Sequence, residues 1–247
     1  MEAWGITDSG KVRQQNQDIF KILYDEDKNV AVFVVCDGIG GAKAGNVAST
    51  IAAETFMHSI GGFIEDIENA GSIDNIAKSM TDAVLAANKA VYEKSSREDD
   101  FAGMGTTLTA AISTAIGEVI ANIGDSRAYH ITPDVITQIT RDHSVVEDMV
   151  LRGDISREEA GRHPSKHLIT RALGSNRIER PDMFRISMDS CDHILLCSDG
   201  LSDMVTENEI IHELQRGAGV RECCENLVAT VLARGAPDNV TAVIFRK

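Results

Sequence analysis

The spacing of apolar positions predicts strands and two long helices in the first part of the chain. Apolar runs at 19–24 and 30–36 are typical of strands, and the near-continuous second run indicates burial on both faces of a sheet. Alanine-rich amphipathic stretches without internal proline predict helices over about 43–60 and 74–94. The glycine-bearing segment 61–71 is the predicted connection between them.

Strand patterns return in the second half of the chain. The predicted strands are 106–113, 118–123, 127–131, 184–188, 193–197 and 240–245. Helices are predicted near 207–215 and 220–234, and a polar insertion at 144–180 is typical of a surface lid or binding element. Segregated runs of strands and helices favour an α+β fold, and two packed sheets flanked by helices account for the order. Because no repeat or linker is found, the sequence predicts a single domain over 1–247.

The net charge of the chain limits the classes of molecule that it can bind. The chain has 24 basic and 38 acidic residues and a formal net charge of −14. This field opposes nonspecific binding to nucleic acid or to an anionic membrane surface. A phosphate-bearing substrate is compatible with it only where metal ions or well-placed arginines reverse the sign locally.

Cysteine usage and hydropathy predict a cytoplasmic protein. The five cysteines show no C-x-x-C spacing, so they predict neither a zinc site nor a disulfide framework. They are Cys36, Cys191, Cys197, Cys223 and Cys224. The first residues lack the pattern of a signal peptide, and no window approaches the roughly 18 uninterrupted apolar residues of a membrane span.

Aspartates stand where predicted strands end or begin. Asp37 and Asp199 each follow a predicted strand, and Asp238 precedes the last one. If these strand ends share one edge, the carboxylates can converge on two hard cations, which prefer oxygen ligands and clamp a phosphoryl group for in-line displacement. Asp125, in a turn between strands, is a fourth candidate. Turns use Asp-Gly often, so each aspartate also remains open to interpretation as an ordinary turn residue.

A phosphate site also needs a donor of matching geometry. Arg13 lies in the polar segment 9–18 and is the candidate, because a planar guanidinium binds phosphate oxygens in a bidentate manner. The alternative interpretation is a solvated surface arginine. Asp18, at the end of the same segment, can equally cap or turn the chain.

Eight segments, taken in order, resemble the type 2C metal-dependent protein phosphatase family, and they cover nearly the whole chain. They are 13–18 (RQQNQD), 36–41 (CDGIGG), 105–107 (GTT), 124–127 (GDSR), 141–144 (RDHS), 170–174 (TRALG), 198–203 (SDGLSD) and 238–241 (DNVT). The resemblance implies a four-layer α-β-β-α sandwich, in which two central antiparallel β-sheets are flanked by helices. The insertion at 144–180 falls where the family's variable flap lies.

The resemblance also implies a metal centre with two Mn²⁺ or Mg²⁺ ions. Asp37 would bridge the ions, and the carbonyl oxygen of Gly38 would bind one of them. Asp199 and Asp238 would complete the other. Asp125 would bind a weaker third ion.

Further roles follow from the same resemblance. Asp203 would join Asp125 at the third ion, and Asp18 would hold a water of the metal centre. Arg13 would bind the substrate phosphate. Asn239 would orient the groups around the metals.

The implied activity is hydrolysis of phosphoserine and phosphothreonine in proteins, by direct attack of a metal-bridging water without a phosphoenzyme intermediate. Expected partners are phosphorylated proteins and an opposing Ser/Thr kinase, and the expected state is a monomer. Two alternatives are a catalytically silent regulatory module of the same fold and a phosphomonoesterase for small molecules. The intact Asp37, Asp199 and Asp238 argue against the silent module.

The chain departs from the family pattern at two positions. Ile39 stands where many eukaryotic members carry a histidine proposed as general acid, which resembles the bacterial branch, and Gln17 replaces a common glutamate. His143, His163 and His167 are candidate proton donors, although each also fits a structural or solvent-exposed role. The arginines of the insertion could steer an acidic phosphopeptide, but alternating charges favour a solvated surface for most of them. They are Arg152, Arg157, Arg162, Arg171, Arg177 and Arg180.

Overall fold

Strands and helices follow one another in separate runs. The computed structural model describes residues 2–41, 44–65, 67, 71–188, 192–217 and 219–247. The strands are β1 (Glu2–Asp8), β2 (Asp18–Asp25), β3 (Val30–Ile39), β4 (Gly105–Thr106), β5 (Leu108–Thr114), β6 (Gly117–Ile123), β7 (Arg127–Ile131), β8 (Ile136–Gln138), β9 (Asp182–Ile186), β10 (His193–Cys197) and β11 (Val240–Arg246). The helices are α1 (Ala44–Glu65), α2 (Ile73–Arg97), α3 (Val145–Arg152), α4 (Arg157–Ala160), α5 (Asp199–Ser202), α6 (Glu207–Gln215) and α7 (Val220–Ala233), with a 3₁₀ turn at Asp99–Phe101.

Two antiparallel sheets form the centre of the molecule. The first sheet has the order β1-β11-β10-β7-β8, and the second has the order β2-β3-β5-β6-β9 with β4 beside β3. The sheets pack face to face through a shared apolar cluster, in which the rings of Phe33 and Phe245 have centroids 5.0 Å apart. Helices α1 and α2 cover the outer face of the second sheet, while α6 and α7 cover that of the first. The predicted α+β sandwich of four layers is confirmed.

Strand β3 shows why its apolar run is uninterrupted. Its residues up to Cys36 are fully buried. Successive side chains of a strand point to opposite faces, so one set packs under α1 and α2 and the other packs between the sheets. The first set is Val30, Val32, Val34 and Cys36, and the second is Ala31, Phe33 and Val35. Both faces of this strand therefore lie inside the protein, as the sequence pattern predicts.

Two elements differ from the sequence prediction. The connection predicted at 61–71 begins too early, because α1 continues through Gly61 and Gly62 to Glu65. Burial of Ile60 and Ile64 on one helix face offsets the helix cost of two glycines, about 1 kcal/mol each. Strand β1 was not predicted, because its residues are exposed or only partly buried and lack a continuous apolar face. The predicted helix start near Lys43 and the residue Cys191 fall outside the described residues.

The strand ends that carry the candidate residues meet at one edge of the sandwich. Asp18 at the start of β2 is paired with Asp37 near the end of β3. In the other sheet, the end of β10 lies beside the start of β11, where Cys197 pairs with Ala242. In the described parts of the chain, no helix combines the length and hydropathy needed to cross a membrane.

Candidate metal centre

The backbone of Asp37 is fixed by a neighbouring strand. Its N–H donates to the hydroxyl of Thr107 at 2.9 Å, and its carbonyl oxygen accepts from the Thr107 N–H at 2.9 Å. The hydroxyl of Thr106 donates to the same carbonyl at 2.8 Å. Because both peptide groups are held, the carboxylate of Asp37 is directed by the sheet and remains available to a ligand.

Gly38 permits a close approach between β3 and the start of α1. A Cβ atom at this position would overlap the carbonyl oxygen of Gly45 and lie 2.9 Å from that of Gln17. The Gly38 N–H donates to the Gln17 carbonyl at 3.1 Å. Only glycine fits here, so Gly38 brings its own carbonyl group next to Asp37 without displacing the helix.

Asp18 connects the two sheets through hydroxyl groups. Ser198 and Thr241 each donate a hydrogen bond of 2.7 Å to its Oδ2 atom. Its other oxygen, Oδ1, is buried without a hydrogen-bond partner, and among the described residues the same holds only for Oδ1 of Asp199. Buried carboxylate oxygens are normally satisfied, so these two atoms fit ligands of a cation or partners of a water molecule.

Asn239 braces the loop that carries Arg13. Its Nδ2 donates to the carbonyl oxygens of Ser9 at 2.9 Å and Gln15 at 3.0 Å, and its Oδ1 accepts from the N–H of Gln17 at 2.8 Å. The amide therefore uses both donors and its acceptor on one loop. This arrangement fits the orienting role that the resemblance implies.

Arg13 reaches the carboxylate cluster. Its Nη2 donates to Oδ2 of Asp238 at 2.8 Å, although about half of the arginine side chain stays exposed. The other oxygen of Asp238 accepts from the N–H of Asn239 at 2.8 Å. The solvated-arginine alternative is therefore replaced by a guanidinium that faces the cavity and is still open to an anion.

A second group of charges joins the insertion to the carboxylates that follow β10. Lys166 donates to Oδ2 of Asp203 at 2.8 Å, and Nδ1 of His167 lies 3.7 Å from the same atom and 3.9 Å from Oδ2 of Asp199. Sequence reasoning did not single out Lys166. No local signal could have revealed it, since it lies 37 residues from its partner along the chain.

The pKa values of the carboxylates are raised because these groups are buried and close to one another. Burial raises the pKa of Asp37 well above its ordinary value, with further contributions from Asp18, Asp199 and Asp125. Burial likewise raises the pKa of Asp18 to about 7, of Asp125 to about 8 and of Asp199 to about 6. Neighbouring like charges add to each of these shifts. The carboxylates of this set outnumber the positive side chains beside them, Arg13 and Lys166, which fits divalent cations with oxygen ligands.

These groups surround a cavity of about 560 Å³. Its lining includes the predicted Arg13, Asp37, Gly38, Asp125, Asp199, Asp238 and Asn239. Asp18 does not line it, since its carboxylate lies against Ser198 and Thr241. A smaller cavity of about 120 Å³ continues beneath the insertion, and Asp125 and Asp199 line both. The tertiary structure therefore brings the predicted residues to one site.

The positions that depart from the family pattern also have defined places. Ile39 and Gln17 line the large cavity. Of the three candidate histidines, His167 lines it, whereas His143 accepts from the N–H of Gly124 and His163 from that of Ser165. Four insertion arginines form ion pairs with carboxylates. Three of these arginines are exposed, which fits the solvated interpretation, whereas Arg171 is only partly exposed. The pairs are Arg152–Asp154, Arg157–Glu147, Arg162–Glu158 and Arg171–Glu179.

The sandwich and the carboxylates at its edge define a class of metal-dependent enzyme. The sequence model of the protein phosphatase 2C family matches residues 10–238. The serine/threonine phosphatase stp of Listeria innocua is 34% identical over 247 residues, which are 100% of this chain and 96% of that protein. The chain belongs to the protein phosphatase 2C family.

Solved structures agree with this assignment. The crystal structure of the serine/threonine phosphatase Stp1 from Staphylococcus aureus matches with a TM-score of 0.88 at 35% identity, over 100% of this chain and 94% of that one. The catalytic domain of the phosphatase PstP, in complex with two manganese ions, matches with a TM-score of 0.83 at 34% identity, over 98% and 96% of the two chains.

Proposed function

We propose that this protein is a metal-dependent phosphatase that hydrolyses phosphoserine and phosphothreonine in proteins. The observation that carries the proposal is the group of carboxylates gathered at one cavity. Among the described residues, Oδ1 of Asp199, which lines the cavity, and Oδ1 of Asp18, which lies outside its lining, are buried without a hydrogen-bond partner. Two Mn²⁺ or Mg²⁺ ions, with a weaker third, would satisfy these oxygens and offset the repulsion between the charges. Family membership and the two manganese ions of PstP support the same choice of metal.

Four groups are assigned to the two principal ions. Asp37 would hold both ions, the carbonyl of Gly38 would hold one of them, and Asp199 and Asp238 would hold the other. When bound, the two cations lower the pKa of a water molecule for direct attack on phosphorus and neutralise charge on the phosphoryl oxygens. Asp18, which accepts two hydroxyl hydrogen bonds on Oδ2, keeps Oδ1 for a water of the metal centre.

Arg13 is assigned to the substrate phosphate. Its guanidinium is paired with Asp238 through Nη2. Once Asp238 holds a cation, Arg13 would have its guanidinium donors free for the phosphoryl oxygens. Asn239 keeps the Arg13 loop in place during this exchange, because its three hydrogen bonds go to the loop backbone.

The wider setting of the activity is part of the proposal. The substrates are phosphorylated proteins, and the enzyme opposes a Ser/Thr kinase in cytoplasmic signalling. The catalytic unit is a single domain over 1–247 that acts as a monomer. The net charge of −14 supports a protein substrate over nucleic acid or an anionic membrane.

A phosphothreonine peptide and p-nitrophenyl phosphate, each assayed with Mn²⁺ and with a chelator, test the proposal. We expect Mn²⁺-dependent turnover of the peptide that is abolished by Asp37→Asn, a change that keeps the side-chain volume and removes the charge. The matched control is Asp82→Asn, since Asp82 is exposed on α2 and pairs with Lys78 across one helical turn. Turnover of neither substrate would indicate a silent binding module. Turnover confined to p-nitrophenyl phosphate would indicate a phosphomonoesterase for small molecules.

A further inference from the structure

His143 forms two hydrogen bonds with the glycine that precedes Asp125. The Gly124 N–H donates to Nδ1 of the imidazole at 3.0 Å. The backbone N–H of His143 donates to the Gly124 carbonyl oxygen at 3.0 Å. That carbonyl belongs to the peptide bond that leads into Asp125, so the histidine holds both polar groups of the residue that sets the direction of this carboxylate.

The turn at Gly124 needs such support because glycine does not restrict its own backbone to one conformation. Gly124 has a φ of +104°, which is one of many conformations open to glycine. A Cβ atom here would lie 2.5 Å from Cγ2 of Thr107, so no other residue type fits. Asn122 adds one hydrogen bond of 3.3 Å to the Gly124 carbonyl. The conformation is therefore imposed by the neighbours, and His143 supplies two of these contacts.

The far side of the imidazole is held as well. Its Nε2 lies 3.3 Å from Oδ2 of Asp182 and 2.8 Å from Nη1 of Arg171, and Arg171 also pairs with Asp182 at 2.9 Å and with Glu179 at 2.8 Å. Since the Gly124 N–H occupies Nδ1, the ring proton lies on Nε2 and is donated to Asp182, so Asp182 is the hydrogen-bond partner on this side and the Arg171 guanidinium, which has only donors, acts by pairing with Asp182. Burial and the charge of Arg171 lower the pKa of His143, which keeps Nδ1 free to accept.

This cluster also closes the base of the insertion. The carbonyl oxygen of His143 accepts from the N–H of Thr170 at 2.8 Å, and the N–H of Val145 donates to the carbonyl of Leu168 at 2.8 Å. The start of the insertion is thus joined to residues 168–170 where the histidine meets the Gly124 turn. The contacts continue from the insertion base to a carboxylate that lines the cavity.

We propose that His143 is a positioning residue for Asp125: by holding Gly124 from both sides, it directs this carboxylate into the cavity as a cation ligand. The inference rests on the proposed function only in taking Asp125 as a ligand of the third ion. His143 itself contacts neither substrate nor metal.

Two amide variants of His143 test this role, because each can replace only one of the two ring nitrogens. In His143→Asn the side-chain oxygen can take the place of Nδ1 and accept from Gly124, whereas in His143→Gln the polar atoms lie near Nε2 instead. Mn²⁺ binding is measured by calorimetry without substrate, together with the melting temperature. A third variant, His130→Gln, controls for loss of stability, because His130 pairs with Asp192 at 2.9 Å and does not line either cavity.

We expect His143→Gln to weaken the lowest-affinity Mn²⁺ by roughly tenfold, the equivalent of one lost hydrogen bond, and to leave the tighter ions unchanged. His143→Asn should stay close to the wild type. Equal effects of the two variants would overturn the proposal, as would losses that follow the melting temperature in all three variants. An Asp125→Asn titration identical to the wild type would overturn it too. Lack of phosphatase activity with this binding pattern intact would refute only the proposed function.

Discussion

The metal-free protein should lose stability as pH rises, because the folded state holds protons that the unfolded chain releases. Burial raises the pKa of Asp18 from 3.8 to about 7, with contributions from the charges of Asp199 and Asp238. Between these two values the folded protein binds more protons than the unfolded one. The free energy of unfolding therefore falls as pH rises through this window.

The size of the effect follows from the window. Asp18 has a folded pKa of about 7, so roughly two pKa units separate it from pH 5. At about 1.36 kcal/mol per unit, its contribution between pH 5 and pH 8 is about 3 kcal/mol. For a protein of this size each kcal/mol changes the melting temperature by about 2–4 °C, so Asp18 alone should account for a fall of about 6–12 °C.

Scanning calorimetry of chelator-treated protein at constant ionic strength measures this slope. Asp18→Asn should make the slope shallower by the Asp18 contribution, because the amide still accepts from Ser198 and Thr241 but does not titrate. Asp134→Asn in the exposed turn after β7 makes the same change in net charge and should leave the slope intact. Saturating Mn²⁺ should raise the melting temperature more at pH 8 than at pH 5, since ligand carboxylates must be ionised. A melting temperature that rises with pH, or equal slopes for the two variants, would refute the reasoning.

Two further predictions concern packing and the backbone. Glu118 is fully buried and accepts from Nζ of Lys247 at 2.8 Å. Lys247→Ala should therefore lower the free energy of unfolding by about 3 kcal/mol in urea titrations. The control Lys94→Ala, in an exposed ion pair, should lower it by less than about 1 kcal/mol. Similar costs for both would contradict the buried-charge argument. Gly38→Ala should weaken Mn²⁺ binding measured by calorimetry, because its Cβ would overlap the backbone of α1, whereas Gly41→Ala meets no atom within 4 Å and should bind Mn²⁺ normally.

Much of the fold could be read from local patterns. The run that became β3 was predictable because burial on both faces removes polar residues from every position. Strand β1 was not, since its hydrogen bonds to β11 hold it at the sheet edge without a continuous apolar face. The end of α1 was misplaced because the glycine signal at Gly61 and Gly62 is local, while the burial of Ile64 that continues the helix is tertiary.

The candidate site was likewise predictable only in part from the sequence. The order of short motifs was enough to single out Asp37, Asp199 and Asp238, but each alone fits an ordinary turn. Whether they converge depends on strand register, which pairs Asp18 with Asp37 and joins the two sheets through Ser198. The pKa shifts arise from that convergence, because they need burial and mutual repulsion together.

The sequence by itself determined the residue types, their order along the chain and the layers into which they fold. Only the tertiary structure decided which side chains meet, and it replaced the picture of Arg13 as a solvated residue with that of a cavity group. It also revealed the contact of Lys166 with Asp203 and the hydrogen bond from the Gly124 N–H to His143. The physical reason is that the helix or strand formed by a segment depends mainly on its own residues. The contacts of each side chain depend instead on elements that are far apart in the chain and pack against one another.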